Sequence, residues 1–181
     1  MGAITKVSCA AIAFTGCEIM LAQAIGFTSP WLMLLLMFYL MALAKLAEPL
    51  FVLRLPVPFR AIRQWEKSGN IYRWLAVHRF GMILRSSPLR RLNPDVYVDS
   101  MDLQSLHRRI ASGEAIHFWA AVLFTPYIAF VYLIGQTQVA SIFLLLQFLV
   151  NIYPILHLRF VRQRLEILLM RRQVQAARGS W

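Results

Sequence analysis

The sequence predicts an all-α integral membrane protein with four transmembrane helices and amphipathic helices at the cytoplasmic membrane surface. The chain is 59% hydrophobic and only 15% charged, with a mean hydropathy of +0.59, which is a membrane composition. Several apolar runs reach about 20 residues, the length that spans a hydrocarbon layer ~30 Å thick. Backbone at that depth must satisfy its own hydrogen bonds, so each run is expected to be an α-helix.

Residues 1–53 are predicted to form a first transmembrane hairpin. Its spans are residues 7–27 and residues 31–53, and a glycine and a proline mark the turn between them. Cys9 and Cys17 are eight residues apart, ~12 Å along a helix, so we expect no disulfide between them. They also lack metal-site spacing and are expected to be small packing residues.

Ionisable residues inside this hairpin require an explanation, because placing a charged group within a membrane is costly. Glu18 is placed about 16 Å into the first span, where such a group is either functional or a protonated or paired structural residue. Lys45 is one possible partner for Glu18, but it also lies three residues before Glu48 and is able to pair with that residue. Pro49 is expected to kink or end the second helix.

Residues 54–113 are predicted to form a basic, amphipathic segment attached to the membrane surface. This segment holds eleven of the 19 cations, which are Arg54, Arg60, Arg63, Lys67, Arg73, Arg79, Arg85, Arg90, Arg91, Arg108 and Arg109. Trp, Tyr, Phe and Leu lie between them, a mixture typical of helices in the headgroup layer. Gly69 and residues 86–88 are expected to break the segment into pieces, and residues 93–95 are expected to form a turn. Ser100 is expected to cap a short helix over residues 101–112.

Residues 114–181 are predicted to form a second transmembrane hairpin followed by a basic helix along the surface. The spans are residues 115–134 and residues 139–158, and the uncharged link over residues 135–138 is only four residues long. So short a link makes the two helices antiparallel neighbours. Their far ends therefore meet at one membrane surface, where we expect the functional site.

The distribution of positive charge predicts the topology. Apart from Lys45, every cation lies before the first span, in residues 54–113 or in the C-terminal tail, and none lies in the two short links. The positive-inside rule then places both termini and the basic segment in the cytoplasm of a multi-pass cell (inner) membrane protein. Because these cations flank apolar spans, the net charge of +11 indicates membrane lipids as partners, not nucleic acid.

Glu114 and His117 are the first catalytic candidates. They are three residues apart and therefore share a helix face about one turn inside the membrane. A carboxylate beside an imidazole fixes its tautomer and raises its basicity, as a general base requires. The alternative is a glutamate that complements the helix dipole and a histidine that is satisfied by a backbone carbonyl.

A second group of candidates lies at the end of the last span. Asn151 and Arg159 share one stripe with Arg162 after them, and His157 and Arg164 share another. Arginines at a cytoplasmic interface commonly bind anionic headgroups, but their forked donors also suit the phosphates of an acyl-CoA.

Two alternatives remain open at this point. His117 and His157 stand at similar depth on neighbouring antiparallel helices, and paired histidines are able to ligate haem. We expect no metal site, because no recognised ligand spacing is present. A non-enzymatic membrane adaptor, whose basic face binds lipid or a partner protein, also fits the charge pattern.

The order of the polar residues resembles that of a known family. Glu114 and His117 are followed by Asn151 and then by Arg159, Arg162, Arg164 and Leu165, with a looser match over Glu66, Gly69, Tyr72 and Trp74. This pattern, over residues 66–171, resembles the glycosyl-4,4'-diaponeurosporenoate acyltransferases, small integral membrane proteins of carotenoid pigment synthesis. Departures from the family pattern are Phe118 for Trp, Pro154 one position late, Leu158 for Gln, Phe160 for Tyr and Val161 for Asn.

The resemblance implies transfer of a fatty acyl group to a hydroxyl of a lipid-like acceptor, such as a glycosylated carotenoid. His117 would be the general base, Glu114 would orient it, and Asn151 would donate to the developing oxyanion. Phosphates of the donor would bind Arg159, Arg162 and Arg164, with His157 nearby. No cofactor is implied beyond acyl-CoA or another acyl donor as co-substrate. The acceptor, the donor and the oligomeric state are left open.

Overall fold

The computed structural model of the protein describes residues 2–48, 50, 53–92 and 102–178. Every regular element within these ranges is helical, which confirms the predicted all-α class. Among the described residues, four helices are long and apolar enough to cross a membrane, and they cover Ala3–Ile25, Pro30–Ala47, Leu103–Leu133 and Thr137–Arg172. The chain is therefore a multi-pass membrane protein with the predicted number of spans.

The structure divides into two compact units. Unit 1 combines Met1–Leu53 with Ala115–Ile152, and unit 2 combines Arg54–Glu114 with Tyr153–Trp181. The C-terminal helix thus belongs with the basic central segment, whereas the sequence groups it with the second hairpin.

Unit 1 is a bundle of apolar helices. Helix α1 covers Ala3–Ile25 and helix α2 covers Pro30–Ala47, with a proline at the first helical position of α2 that is preorganised for a helix start. The core residues come from α2 and the two later helices of the unit: Met33, Met37, Ala120, Phe124, Ile128, Val131, Ala140 and Phe143. Most of α1 is exposed, as expected for a helix whose surroundings are lipid.

The polar residues of the first hairpin make local contacts. Lys45 pairs with Glu48, as the sequence predicts, so Glu48 rather than Glu18 neutralises it. The Tyr39 hydroxyl donates to the backbone carbonyl of Ala11 at 3.2 Å, and this bond ties α2 to α1. Glu18 is partly buried, and its Oε2 atom makes no hydrogen bond to the residues that the structure describes. Pro49 lies outside the described residues.

Unit 2 begins with four short helices, α3 to α6. In chain order, helices α3, α4, α5 and α6 cover Val57–Arg60, Gln64–Lys67, Asn70–Trp74 and Val77–Ser86. A 3₁₀ turn over Pro88–Leu92 follows them. Exposed Trp65, Trp74, Met82 and Ile83 lie among the arginines of this stretch, an arrangement suited to the headgroup layer.

Left-handed residues separate these short helices. Gly69 precedes α5 with φ +71° and Ala76 precedes α6 with φ +54°. The chain cannot continue an α-helix through that conformation. Gly69 therefore provides the predicted break, while Ala76 adds a break that no glycine or proline in the sequence marks.

Helix α7 covers Leu103–Leu133 without interruption. The sequence predicts a separate helix over residues 101–112, and this prediction is wrong because the helix runs through Gly113 into the membrane span. Gly113 has space for only a small residue, since an added Cβ would lie 3.3 Å from Leu158 Cδ1. Asp102 Oδ2 accepts from the Ser105 backbone N–H at 3.0 Å and caps the helix. The predicted Ser100 cap and the turn at residues 93–95 lie outside the described residues.

The last part of the chain is helical from Thr137 to Arg178. Helix α8 covers Thr137–Gln147, a π-helical turn covers Phe148–Ile152, and helix α9 covers Tyr153–Arg178. Pro154 follows the π-helical turn and has no amide hydrogen to donate to a carbonyl four residues earlier. The wider turn changes which side chains of the span face inward.

Unit 2 is held together by α9 packing against the helices before it. Leu103, Leu106 and Ile110 of α7 form an apolar cluster with Val161 and Leu165 of α9. Elsewhere on α9, the ring of Tyr153 stacks edge-on against Phe80 of α6, with centroids 5.0 Å apart. The next residue, Gly81, approaches His157 of α9 closely, since an added Cβ would lie 2.9 Å from His157 Cε1.

Candidate functional site

Most of the candidate side chains lie in two polar clusters, one in each unit. The first, which we call the arginine cluster, surrounds the guanidinium group of Arg159 in unit 2. Its Nε atom donates to Glu66 Oε1, and its Nη2 atom donates to Glu66 Oε2 at 3.1 Å. Nη1 donates to Glu114 Oε1 at 2.8 Å and to the Phe59 carbonyl at 2.7 Å, and Nη2 also donates to the Ala61 carbonyl at 2.8 Å. All five N–H groups of Arg159 therefore have an acceptor within the protein.

Glu66 is buried in this cluster yet remains suited to carrying a charge. Burial alone would raise the pKa of Glu66, but hydrogen bonds from Arg159 and from the Arg63 backbone outweigh it and hold the pKa below its ordinary value. The Tyr72 hydroxyl also donates to Glu66, at 3.4 Å. Burial, together with the charge of Glu66, raises the pKa of Tyr72, so this phenol keeps its proton.

Arg162 is the less satisfied member of the arginine cluster. Its Nε lies 3.2 Å from Glu114 Oε2, within ion-pairing distance but not aligned for a hydrogen bond. Arg162 is only 5% exposed, and among the described residues its Nε and Nη2 have no hydrogen-bond partner. Buried guanidinium donors without an acceptor are costly, and the ion pair with Glu114 offsets part of that cost.

The two other predicted binding residues of α9 have different surroundings. His157 is buried, and its ring packs edge-on against Phe80 at a centroid separation of 5.7 Å. Arg164 is exposed, and its guanidinium carbon lies 5.8 Å from the centroid of the Phe160 ring. Of these two, only Arg164 is accessible from outside the protein.

The second cluster, which we call the amide ladder, lies in unit 1 and ends at His117. Gln147 Nε2 donates to the Ala121 carbonyl at 2.7 Å, and Asn151 Nδ2 donates to Gln147 Oε1 at 2.8 Å. Asn151 Oδ1 then faces His117 Nδ1 at 3.4 Å. The backbone of Val150 also hydrogen-bonds the ring of His117. Asn151 is fully buried and His117 is partly buried, so the imidazole is the accessible end of the ladder.

Breaks in regular helix geometry supply the local structure of the ladder. Pro126 lies inside α7, and a proline loosens the backbone bonds of the preceding turn. The Ala121 carbonyl, five residues before Pro126, accepts from the Thr125 hydroxyl at 2.8 Å as well as from Gln147. On the other side, Asn151 lies in the π-helical turn, a feature common at functional sites.

Comparison with known proteins identifies the family. The family model of glycosyl-4,4'-diaponeurosporenoate acyltransferases matches residues 58–171. The chain belongs to this family. It is therefore an acyltransferase of carotenoid biosynthesis. No curated protein and no solved structure matches the chain.

The matched region of the acyltransferase contains both clusters. Within unit 2, the structure brings together Glu114, Arg159 and Arg162 as predicted neighbours. Within unit 1, it brings together His117 and Asn151. The acceptor at His117 Nδ1 is an amide oxygen, where the sequence predicts a carboxylate, because the two oxygens of Glu114 face arginines.

Two residues of the acyltransferase have a larger role than sequence reasoning assigns. Glu66 enters the sequence analysis only through a loose match, but it is the main partner of Arg159. Gln147 is absent from the predicted site, although it is 7% exposed and central to the ladder. The available signal was its position four residues before Asn151 in an otherwise apolar span, where two amides share a helix face.

Proposed function

We propose that this acyltransferase moves a fatty acyl group from an activated donor to a hydroxyl of a hydrophobic, lipid-like acceptor, with His117 as the general base. The observation that carries this proposal is the contact between His117 Nδ1 and Asn151 Oδ1. An acceptor beside Nδ1 supports Nε2 as the atom that receives the proton. A glycosylated carotenoid is the acceptor that the family description favours.

The step is a nucleophilic substitution at an acyl carbon. His117 Nε2 takes the acceptor hydroxyl proton as the acceptor oxygen bonds to the carbonyl carbon of an acyl thioester such as acyl-CoA. The C–S bond then breaks, and the imidazolium returns its proton to the leaving thiolate. Nε2 thus ends unprotonated, as it began. A site bounded by apolar helices excludes water, which favours transfer over hydrolysis.

For the donor, the proposal assigns phosphate binding to Arg162, together with the exposed Arg164. Arg162 supports this assignment because two of its buried nitrogens lack a hydrogen-bond partner among the described residues, and guanidinium groups bind phosphate well. Arg159 has no N–H group left for a phosphate, so we assign it to holding unit 2 together. Glu114 acts in the same cluster by keeping both arginines in place.

The proposed site faces the cytoplasm. Apart from Lys6 and Lys45, the cations of the sequence lie in residues 54–113 and in the C-terminal tail, outside the spans predicted from the sequence. The positive-inside rule therefore assigns them and both termini to the cytoplasmic side. A soluble acyl thioester made in the cytoplasm is accessible from that side.

A transfer assay with the His117→Ala variant tests the assignment of the base. Purified protein in lipid nanodiscs receives a labelled acyl-CoA and a carotenoid glycoside. Loss of a general base is expected to lower kcat about 10²- to 10⁴-fold. The matched control is His78→Ala, the same change at an exposed histidine, which should retain wild-type kcat. Undiminished transfer by His117→Ala would remove His117 from the mechanism.

The donor assignment is tested by Arg162→Lys, which keeps the charge and loses the fork. The expected result is a raised KM for acyl-CoA with little change in the KM for the acceptor. Acyl-pantetheine, a thioester without the nucleotide phosphates, separates the possibilities. If Arg162→Lys raises the KM for acyl-CoA and the KM for acyl-pantetheine by the same factor, the arginine does not bind those phosphates.

A further inference from the structure

The hydrogen bonds of the amide ladder all run in one direction. A backbone carbonyl only accepts, so the Ala121 oxygen selects the NH₂ end of the Gln147 amide at 2.7 Å. The carbonyl end of Gln147 then faces Asn151 and selects its NH₂ group at 2.8 Å. Asn151 is left with its oxygen toward His117 Nδ1.

We propose that Gln147 is a positioning residue that fixes the tautomer of His117. Through Asn151 it presents an oxygen to the ring, and an amide oxygen has no hydrogen to donate. In this assignment the Asn151 oxygen, rather than the Val150 backbone, decides which ring nitrogen carries the hydrogen, so the neutral imidazole keeps its hydrogen on Nδ1 and its lone pair on Nε2. This inference rests on the proposed function, in which Nε2 is the proton acceptor.

Burial makes the orientation of both amides well defined. Gln147 is 7% exposed and Asn151 is fully buried, so neither amide is able to turn toward water. If the Gln147 amide were reversed, its oxygen would face the Ala121 oxygen, and one buried donor and one buried acceptor would lose their partners. The cost of such unpaired groups keeps the ladder in one arrangement.

An amide suits this position better than a carboxylate does. The ladder contains only neutral groups, so the span buries no charge until the imidazole takes up a proton. Once protonated, the ring still donates from Nδ1 to the Asn151 oxygen. The same contact therefore orients His117 both before and after proton transfer.

Nitrogen NMR of the histidine ring reads the tautomer directly. The probe is protein labelled with ¹⁵N-histidine in lipid nanodiscs, observed at a pH where the imidazole is neutral, with the His117 signals assigned from the His117→Ala spectrum. Three variants are compared with the wild type. Gln147→Leu removes the ladder, and Gln147→Glu keeps an acceptor for the Asn151 amide. Phe143→Leu changes an apolar core side chain one helical turn before Gln147 and keeps every polar group of the ladder.

The expected wild-type spectrum has hydrogen on Nδ1 alone, and the spectra of Gln147→Glu and Phe143→Leu retain this form. Gln147→Leu is expected to show a mixture of tautomers. Its kcat should fall about tenfold to a hundredfold, less than for loss of the base itself, with KM unchanged. A wild-type His117 with hydrogen on Nε2, held there by the Val150 backbone, would overturn the inference. An unmixed Nδ1–H form in Gln147→Leu would overturn it as well.

The spectra test the positioning role of Gln147, and the transfer assay tests His117 as the base, so the two proposals can be contradicted separately. If His117→Ala transfers acyl groups at the wild-type rate while Gln147→Leu still mixes the tautomers, the ladder stands and the assignment of the base falls. If His117→Ala is inactive but the tautomer does not respond to Gln147, the base stands and the positioning role falls.

Discussion

Arg159 and Glu66 face each other as a guanidinium–carboxylate fork. Nε bonds one carboxylate oxygen and Nη2 bonds the other at 3.1 Å, although the two residues are 93 positions apart in the chain. The remaining N–H groups of Arg159 reach Glu114 and the carbonyls of Phe59 and Ala61. One side chain of α9 thus joins α7 to α4 and to the stretch that precedes α4.

Replacement of Arg159 by lysine should destabilise unit 2 strongly. Lysine keeps the charge, but its three donors cannot replace five in a planar arrangement, and breaking a buried pair leaves carboxylates without compensation. We expect a loss of about 3–5 kcal/mol, measured by thermal unfolding of the purified protein in detergent. The matched control is Arg164→Lys, an exposed arginine five residues later. Equal stability of the two variants would contradict a structural role for the fork.

Acid should weaken unit 2 through Glu66. Its pKa lies below the ordinary value of 4.5, so its stabilising effect is complete above about pH 4.5 and is lost as the pH falls through the lower, folded-state pKa. Thermal unfolding between pH 7 and pH 3 measures this dependence. Glu66→Gln should be less stable at pH 7 and should lose less stability on acidification. Glu166→Gln, at a half-exposed residue, should follow the wild-type slope.

Gly81 should not tolerate alanine. An added Cβ would lie 2.9 Å from His157 Cε1, closer than carbon atoms pack, so the ring or α6 would have to move. Alanine inside a helix normally stabilises by about 1 kcal/mol over glycine, but here overpacking should cost about 1–3 kcal/mol. Gly16→Ala is the control, because nothing lies within 4 Å of an added Cβ there. A stabilised Gly81→Ala protein would show that α6 does not pack closely against α9.

The two left-handed positions of unit 2 should respond in opposite directions. Ala76 has φ +54° and Gly69 has φ +71°, and this region costs a residue with a Cβ about 1–2 kcal/mol. Ala76→Gly is therefore expected to leave stability unchanged or raise it, and Gly69→Ala to lower it by about 1 kcal/mol. Chemical denaturation of the purified variants measures both. Destabilisation by Ala76→Gly would mean that the residue is not left-handed in the folded protein.

Composition and run length alone predict the class and the number of spans. Long apolar runs leave the backbone no alternative to helix in lipid, so four spans were predictable from residues 7–27, 31–53, 115–134 and 139–158. The boundaries were less predictable. The sequence predicts a separate helix over residues 101–112, whereas one helix runs through Gly113, which lies close to Leu158.

The sequence also identifies most of the polar residues of the site, because a charged or amide side chain in an apolar span is rare. It does not identify their partners. Helix spacing suggests Glu114 as the partner of His117. In the structure, Glu114 instead contacts two arginines of α9, and His117 contacts Asn151. Spacing along one helix reports only neighbours on that helix, and these partners come from another.

The sequence by itself determined a helical membrane protein, its basic interfacial segment and the family-like order of glutamate, histidine, asparagine and arginines. These features follow from local rules, because hydrophobic length and charge position act over a few turns of helix. Only the tertiary structure decided that Arg159 is saturated by Glu66, Glu114 and two carbonyls, and that Gln147 orients Asn151 toward His117. Hydrogen bonds between buried groups are directional and join residues up to 100 positions apart, so the partner of each donor depends on how the helices pack.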